Sequence, residues 1–278
     1  MRFLNSLQQI MNSDAVNPAS AFYRHLGWQA RRTFRRFPCE LTISRSRILA
    51  EGATGVPALV NAMGMYDFHN MSLLHAVLAR NPATFVDIGA NIGPYTLIAS
   101  EDKKASVVSI EPHPSTFEML KRNIDINERA NVRCLNVALS DHNGQIKLTD
   151  QLDSSLNRVV QTGRDDKCIF VRCRRLDDIC VELRICPDIV KIDVEGHEPQ
   201  VLDGFRSYLR ETSLLFIEGG ERPEIRSAMR ASALVGPLYF HHRERTLSSF
   251  PQRRVEDPIY LSSRFKDVLL ALEIKLAM

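Results

Sequence analysis

The segment Phe85–Gly93, FVDIGANIG, constrains this chain more than any other. An apolar run of strand length stops at a glycine turn, and PYTLIAS follows with the proline and apolar spacing of a helix start. Asp87, Gly89, Asn91 and Gly93 form D-x-G-x-N-x-G at that strand-to-helix turn, where missing side chains let the backbone approach a ligand closely. A nucleoside or its charged tail fits such a turn. The dinucleotide fingerprint G-x-G-x-x-G is absent, because Ala90 and Asn91 separate Gly89 from Gly93, which counts against a nicotinamide site.

From Thr84 onward short apolar runs alternate with amphipathic stretches, the mark of βα units and a parallel sheet. VVSIE reads as the second strand, ending at Glu111, and a helix from Pro114 buries Phe117, Leu120 and Ile124. Asn131 to Leu139 reads as a third strand, and Asn143–Gly144 predicts a hairpin after it. DIVKIDV and SLLFIE are further buried strands, LYFHH and PIYLSS a closing pair, and Phe265, Val268, Leu269 and Leu272 a last helix. The expected division is a helical and irregular extension over 1–82, with a helix over Asp67 to Ala79, followed by one domain over 83–278. Arg31, Arg32, Arg35 and Arg36 surround Phe34 and Phe37 in QARRTFRRF, read here as a solvated helix face.

Composition narrows the class. Hydrophobic residues at 44% and charged residues at 25% describe an ordinary globular chain able to bury a core. A net charge of +3 gives no reason to expect a nucleic-acid partner. The first residues, MRFLNSLQQIM, lack the pattern of a signal peptide, and no apolar run is long enough to span a bilayer, so a cytoplasmic location is expected. The six cysteines never form CxxC pairs, and no metal is assigned. The basic pI and the hydrophobic C-terminal helix are compatible with self-association or loose membrane contact.

Two groups carry the chemistry. Glu111, at the end of the second strand, is placed to accept hydrogen bonds from ribose hydroxyls. In DIVKIDVEGHE, Asp193, Glu195, His197 and Glu198 crowd the carboxyl end of a buried strand, where open α/β sheets present their ligands. Methyl transfer from a sulfonium to an alcohol needs in-line approach and a base for the hydroxyl proton. His197 is the expected base, with Asp193 or Glu195 orienting it or binding substrate.

With these segments in order, the chain resembles the FkbM family of methyltransferases. The matching runs are FVDIGANIGPYTLIAS, SIEPHPSTFEMLKRNI, NVALSDHNGQIKL, RRLDDI, DIVKIDVEGHEPQVLDGF and LLFIEG, spread over about half the chain. The resemblance implies an α/β, Rossmann-like class I methyltransferase fold: a mostly parallel seven-stranded sheet with helices on both faces. It also implies S-adenosylmethionine as cofactor and O-methylation of a hydroxyl on a saccharide or natural product. By position, Asp87, Gly89, Asn91 and Gly93 would border the methionine part of the cofactor, Glu111 would hold its ribose, and Ala138 and Leu139 would lie beside the adenine. Tyr66 and Asp67 stand where the family often has tyrosine and glutamate, so Tyr66 joins the cofactor set and aspartate replaces the glutamate. The regions before Tyr66 and after Gly220 would close the substrate pocket. Three other readings compete: N- or nucleic-acid methylation, nicotinamide-dependent oxidoreduction, and a noncatalytic binding module. DVEGHE in place of an Asn/Asp-Pro-Pro turn disfavours the first, the glycine pattern the second, and retention of both motifs the third.

Overall fold

The computed structural model describes residues 18–34, 36–52, 55–65, 67–151, 157–160, 167–251 and 257–277; Tyr66 and Arg35 lie outside them. The chain opens with α1 (Pro18–Thr33), the hairpin β1 (Cys39–Ile43) and β2 (Ser46–Ala50), α2 (Val56–Met63) and α3 (Phe68–Arg80). Then come β3 (Thr84–Ile88), α4 (Pro94–Ala99), β4 (Ser106–Ile110), α5 (Pro114–Asp125), β5 (Val132–Leu135), β6 (Ala138–Leu139), β7 (Gly144–Thr149) and β8 (Cys168–Arg174). The next group is α6 (Leu176–Leu183), β9 (Ile189–Ile192), α7 (Glu198–Asp203), α8 (Arg206–Leu209), β10 (Leu214–Ile217) and α9 (Pro223–Ala231). Last are β11 (Val235–His241), β12 (Thr246–Ser248), β13 (Ile259–Leu261), α10 (Lys266–Ala271) and β14 (Lys275–Ala277).

The main sheet has nine strands in the order β14-β12-β11-β13-β10-β9-β3-β4-β5. The expected seven run from β11 to β5, and the short strands β12 and β14 widen the sheet by two. Pairings among β5, β4, β3, β9 and β10 are all parallel, whereas β13 runs antiparallel between β10 and β11. The predicted closing pair is therefore present, as β11 and β13. Strand order reverses between β3 and β9, so their carboxyl ends open the crevice in which such sheets bind ligands.

The central strands are buried on both faces and read as apolar runs, interrupted only by Asp87 in β3 and Lys191 in β9. On one face Phe85 and Phe216 pack with Leu74 of α3, Ile98 of α4, Leu120 of α5 and Leu269 of α10. The other face joins Val86, Val190 and Leu215 to Ile179 of α6, Val201 of α7 and Met229 of α9. Ile43, Ile48 and Val60, from the N-terminal hairpin and α2, belong to the first of these clusters.

Two sequence readings need correction. Residues 131–139 do not form one strand: β5 ends at Leu135, Asn136 turns away to donate its side-chain amide to the carbonyls of Glu111 and Pro112, and β6 joins a different sheet. That second sheet has the order β6-β8-β7, with β8 parallel to β6 and antiparallel to β7. Asn143–Gly144 is thus not a hairpin turn, because β6 and β7 do not pair; Asn143 instead binds Asp178 and the amide of Arg175 at the start of α6. The β1–β2 hairpin was not anticipated. Its turn, with Ser44 at a φ of 52°, is held by the Glu101 carboxylate, which accepts from Ser44 Oγ, Arg45 N and Ser46 Oγ at 3.0, 2.7 and 2.9 Å.

Candidate active site

Past the end of β3, Gly89 adopts a φ of +72°, and a Cβ on it would fall 1.8 Å from the carbonyl oxygen of Asp193. Only glycine lets the carboxyl ends of β3 and β9 meet at this distance. The amides of Gly89 and Ala90 both donate to the carbonyl of Ile110 at 3.0 Å, fastening the turn to β4. Asn91 is left-handed, with φ 52°, a conformation asparagine tolerates better than most residues, and its amide reaches Glu111 Oε2 at 2.9 Å. Gly93, at φ +94°, sits against Leu120, which a Cβ would strike at 2.6 Å.

Asp87 lies beneath this turn, fully buried and outside the cavity wall. Its Oδ2 accepts from Thr96 Oγ1 at 2.7 Å, and Lys191 Nζ stands 3.7 Å from Oδ1. Burial raises its pKa, opposed by the Lys191 charge. Lys191 Nζ also donates to the Gly89 carbonyl at 3.1 Å, meets Asp193 Oδ2 at 3.1 Å and lies over the Tyr95 ring. This buried ammonium supports the floor of the site. Asp67 is tied to the Tyr95 hydroxyl and is likewise not part of the wall.

Above the floor is a cavity of about 310 Å³. Of the residues expected at the cofactor, Gly89, Asn91, Glu111, Ala138 and Leu139 line it. Glu111 accepts from the amides of Asn91 and His113 at 2.9 and 3.0 Å, and burial pushes its pKa up to about 7 in spite of those two bonds. Ala138, Leu139, Leu148 and Val159 make one end apolar, as a flat aromatic base requires. The roof is Gly55, Val56 and Leu59, at the start of α2.

The opposite end is acidic. Asp193, Glu195 and Glu218 each bring a carboxylate oxygen within 4.8 Å of the others, and Asp257 lines the same cavity. Burial, followed by mutual repulsion, raises Glu195 to about 7, Glu218 to about 8 and Asp257 to about 7. Such a group attracts a cation, whether a sulfonium, an ammonium or a hard divalent metal bound through oxygen. The sequence reading missed Lys191, Glu218 as a site residue, and Asp257.

His197 and Glu198 have other surroundings. Glu198 is fully buried: its Oε1 accepts from the amides of Val194 and Gly196 at 3.1 and 3.0 Å, and its Oε2 binds Arg222. It staples the loop after β9, where Glu195 and Gly196 both have positive φ. His197 is buried in the wall beside Ser140, its Nε2 3.0 Å from Ser140 Oγ, and Ser140 donates to Asp141 Oδ1 at 3.1 Å. Burial holds the imidazole pKa below its usual value, and Nδ1 is buried with no partner among the described residues. Glu195, by contrast, is exposed at the cavity.

Residues 87–244 match the family model described as the methyltransferase FkbM domain. The chain belongs to the FkbM methyltransferase family. S-adenosylmethionine is accordingly its cofactor, and the cavity offers apolar side chains, the buried Glu111 carboxylate and the acidic group of Asp193, Glu195 and Glu218. Among curated relatives, the hexuronic acid methyltransferase AglP of Haloferax volcanii is 31% identical over 141 residues, covering 48% of this chain and 54% of that protein. The 2-O-methyltransferase NoeI of Sinorhizobium fredii is 26% identical over 196 residues, covering 64% of this chain and 78% of its own length. The chain thus spans about half of the first relative and more of the second. Among solved structures, a SAM-dependent methyltransferase from Agrobacterium tumefaciens aligns at a TM-score of 0.43 and 12% identity, covering 69% of this chain and 57% of that one.

Proposed function

We propose that this FkbM-family chain methylates a hydroxyl of a saccharide or a related natural product, with Glu195 taking the hydroxyl proton. The observation that carries the reading is the carboxylate group at the end of β9 and β10. Glu195 is open to the cavity, and burial together with the neighbouring carboxylates of Asp193 and Glu198 raises its pKa to about 7, where a general base is most effective. The bound cofactor supplies a methyl group on a positively charged sulfur. Around it, Gly89 and Asn91 would border the methionine part, Glu111 would hold the ribose, Ala138 and Leu139 would flank the base, and the acidic end would face the sulfonium. His197, held on Ser140 with Nδ1 enclosed, serves this reading as a wall residue that fixes the loop carrying Glu195. The stretch 1–82 acts as the cap of the domain 83–278, since Val56 and Leu59 roof the cavity.

Two relatives named for hexuronic acid and for 2-O-methylation support a sugar hydroxyl as acceptor. The test is release of S-adenosylhomocysteine, with a gain of one methyl mass, across panels of hydroxylated glycans, amines and nucleic acids. Preference for amines or nucleobases overturns the reading. For the base, Glu195→Gln is expected to lower kcat by about a hundredfold or more while S-adenosylhomocysteine affinity stays within about threefold. Full turnover in Glu195→Gln together with its loss in His197→Ala would return the role to the imidazole.

A further inference from the structure

The outer side of α1 carries apolar side chains that nothing in the described structure covers. Phe22, Leu26, Tyr23 and Phe34 are 42%, 44%, 72% and 69% exposed. Phe34 follows the helix end but continues its bonding, donating its amide to the carbonyl of Ala30 at 3.0 Å. At 100° per residue, Phe22 and Leu26 fall together, Tyr23 and Phe34 adjoin them, and Arg31 and Arg24 come next, before the buried side of His25 and Trp28. The exposed apolar stripe thus covers about a third of the circumference, with a basic strip along its edge.

Charge completes the pattern. Between Asp14 and Glu40 the sequence has no acidic residue, yet it has arginines at 24, 31, 32, 35 and 36. Arg24, Arg31, Arg32 and Arg36 are exposed, and Arg36 lies over the Phe34 ring. Large aromatic side chains beside unopposed guanidinium groups are the surface of a helix that lies in the interface of a bilayer, with rings in the acyl boundary and arginines on phosphate. A polyanion such as nucleic acid would use the arginines but leave the stripe wet. A protein partner would cover the stripe, but nothing requires it to match an acid-free run of five arginines.

We infer that α1 is a docking surface for anionic lipid bilayers. The helix is firmly joined to the body: Trp28 packs edge-on against Phe37, Asn61 of α2 donates to the carbonyl of Arg24, and α2 is the helix that roofs the cavity. Docking therefore holds the cavity roof about one helix diameter from the membrane surface, on the far side of α1. This holds whatever hydroxyl the site methylates, so failure of the acceptor assignment leaves it intact.

The experiment is co-sedimentation of the full chain with vesicles of phosphatidylcholine alone or with about a third phosphatidylglycerol. Binding is expected only to the anionic vesicles, weakening steeply with salt. The variants Phe22→Ser/Tyr23→Ser/Phe34→Ser and Arg24→Glu/Arg31→Glu are each expected to lower it about tenfold or more, with S-adenosylhomocysteine binding retained as the sign of an intact fold. No binding to anionic vesicles overturns the inference. So does binding that the aromatic variant leaves unchanged, which would mean plain charge attraction. A dimer in light scattering that the aromatic variant dissociates would show that a second copy, not lipid, covers the stripe, and would overturn it too.

Discussion

Glu111→Gln tests the cofactor site at its most informative atoms. Each carboxylate oxygen of Glu111 already accepts one backbone amide, from Asn91 or His113, and an ionised carboxylate keeps lone pairs for ribose hydroxyls as well. Glutamine retains one such oxygen. Its amide group meets a backbone N–H head-on, so one turn contact and one ribose contact are lost. With a hydrogen bond to a charged group contributing about 2 kcal/mol, affinity for S-adenosylhomocysteine should fall about thirtyfold. Protonation gives a second readout. Burial raises the wild-type pKa to about 7, and ribose hydroxyls bind the ionised form, so the Glu111 carboxyl must give up its proton for the ligand to engage. Lowering the pH from 8 to 6 should then weaken binding by about tenfold through this group alone. The cavity's other raised carboxylates titrate in the same range, so the diagnostic is the part of the slope that disappears in Glu111→Gln. Calorimetry in two buffers of different ionisation enthalpy measures both quantities, with circular dichroism to confirm folding. Unchanged affinity and an unchanged pH slope in the variant would refute the ribose assignment.

Gly89→Ala forces a left-handed alanine against the Asp193 carbonyl and should cost about 2 to 5 kcal/mol in urea unfolding; a cost under about 1 kcal/mol would contradict the tight β3–β9 approach. Arg222→Ala strands the buried Glu198 carboxylate and should destabilise by about 3 kcal/mol, with Glu198→Gln in the same chain recovering part of the loss. An additive double variant would show that the two groups are not coupled. For turnover, the base must be ionised, so kcat/KM is expected to rise with pH up to about 7 and then level; a rise that persists unchanged in Glu195→Gln would exclude Glu195 as the base.

Much of the core was legible because its signals are local. β3, β4, β9 and β10 are mostly apolar runs bounded by glycine, proline or a carboxylate, and Glu111, Gly89 and Asn91 follow their ends. What escaped depends on tertiary partners. The Ser44 turn has no glycine, asparagine or proline to announce it, and is shaped by Glu101 from the far end of α4. Asn143–Gly144 has the composition of a hairpin turn, but β8 arrives later in sequence and separates the two strands. Lys191 was visible as a lone charge in an apolar strand, an expensive placement that calls for a partner, yet neighbours such as Asp87 and Gly89 come from a distant strand and turn. His197 and Glu195 both line the cavity, but the burial of His197 beside Ser140, which no spacing encodes, leaves Glu195 the more exposed of the two. Asp257 could not be found from its neighbours, because only the pairing of β13 with β10 delivers it to the cavity.

The placement of β13 also dictates a sequence of events during synthesis. Both of its neighbours in the sheet are made before it, so β10 and β11 emerge from the ribosome ahead of the strand that lies between them. Until Ile259–Leu261 has been translated and threaded between them, the nascent chain carries two unsatisfied strand edges, a state prone to aggregation and to chaperone capture. Asp257 enters with the same segment, so the acidic end of the cavity is complete only once β13 has taken its place. Released chains truncated before Ile259 should remain protease-sensitive around β10 and fail to bind cofactor, whereas the full chain should be resistant there and bind it.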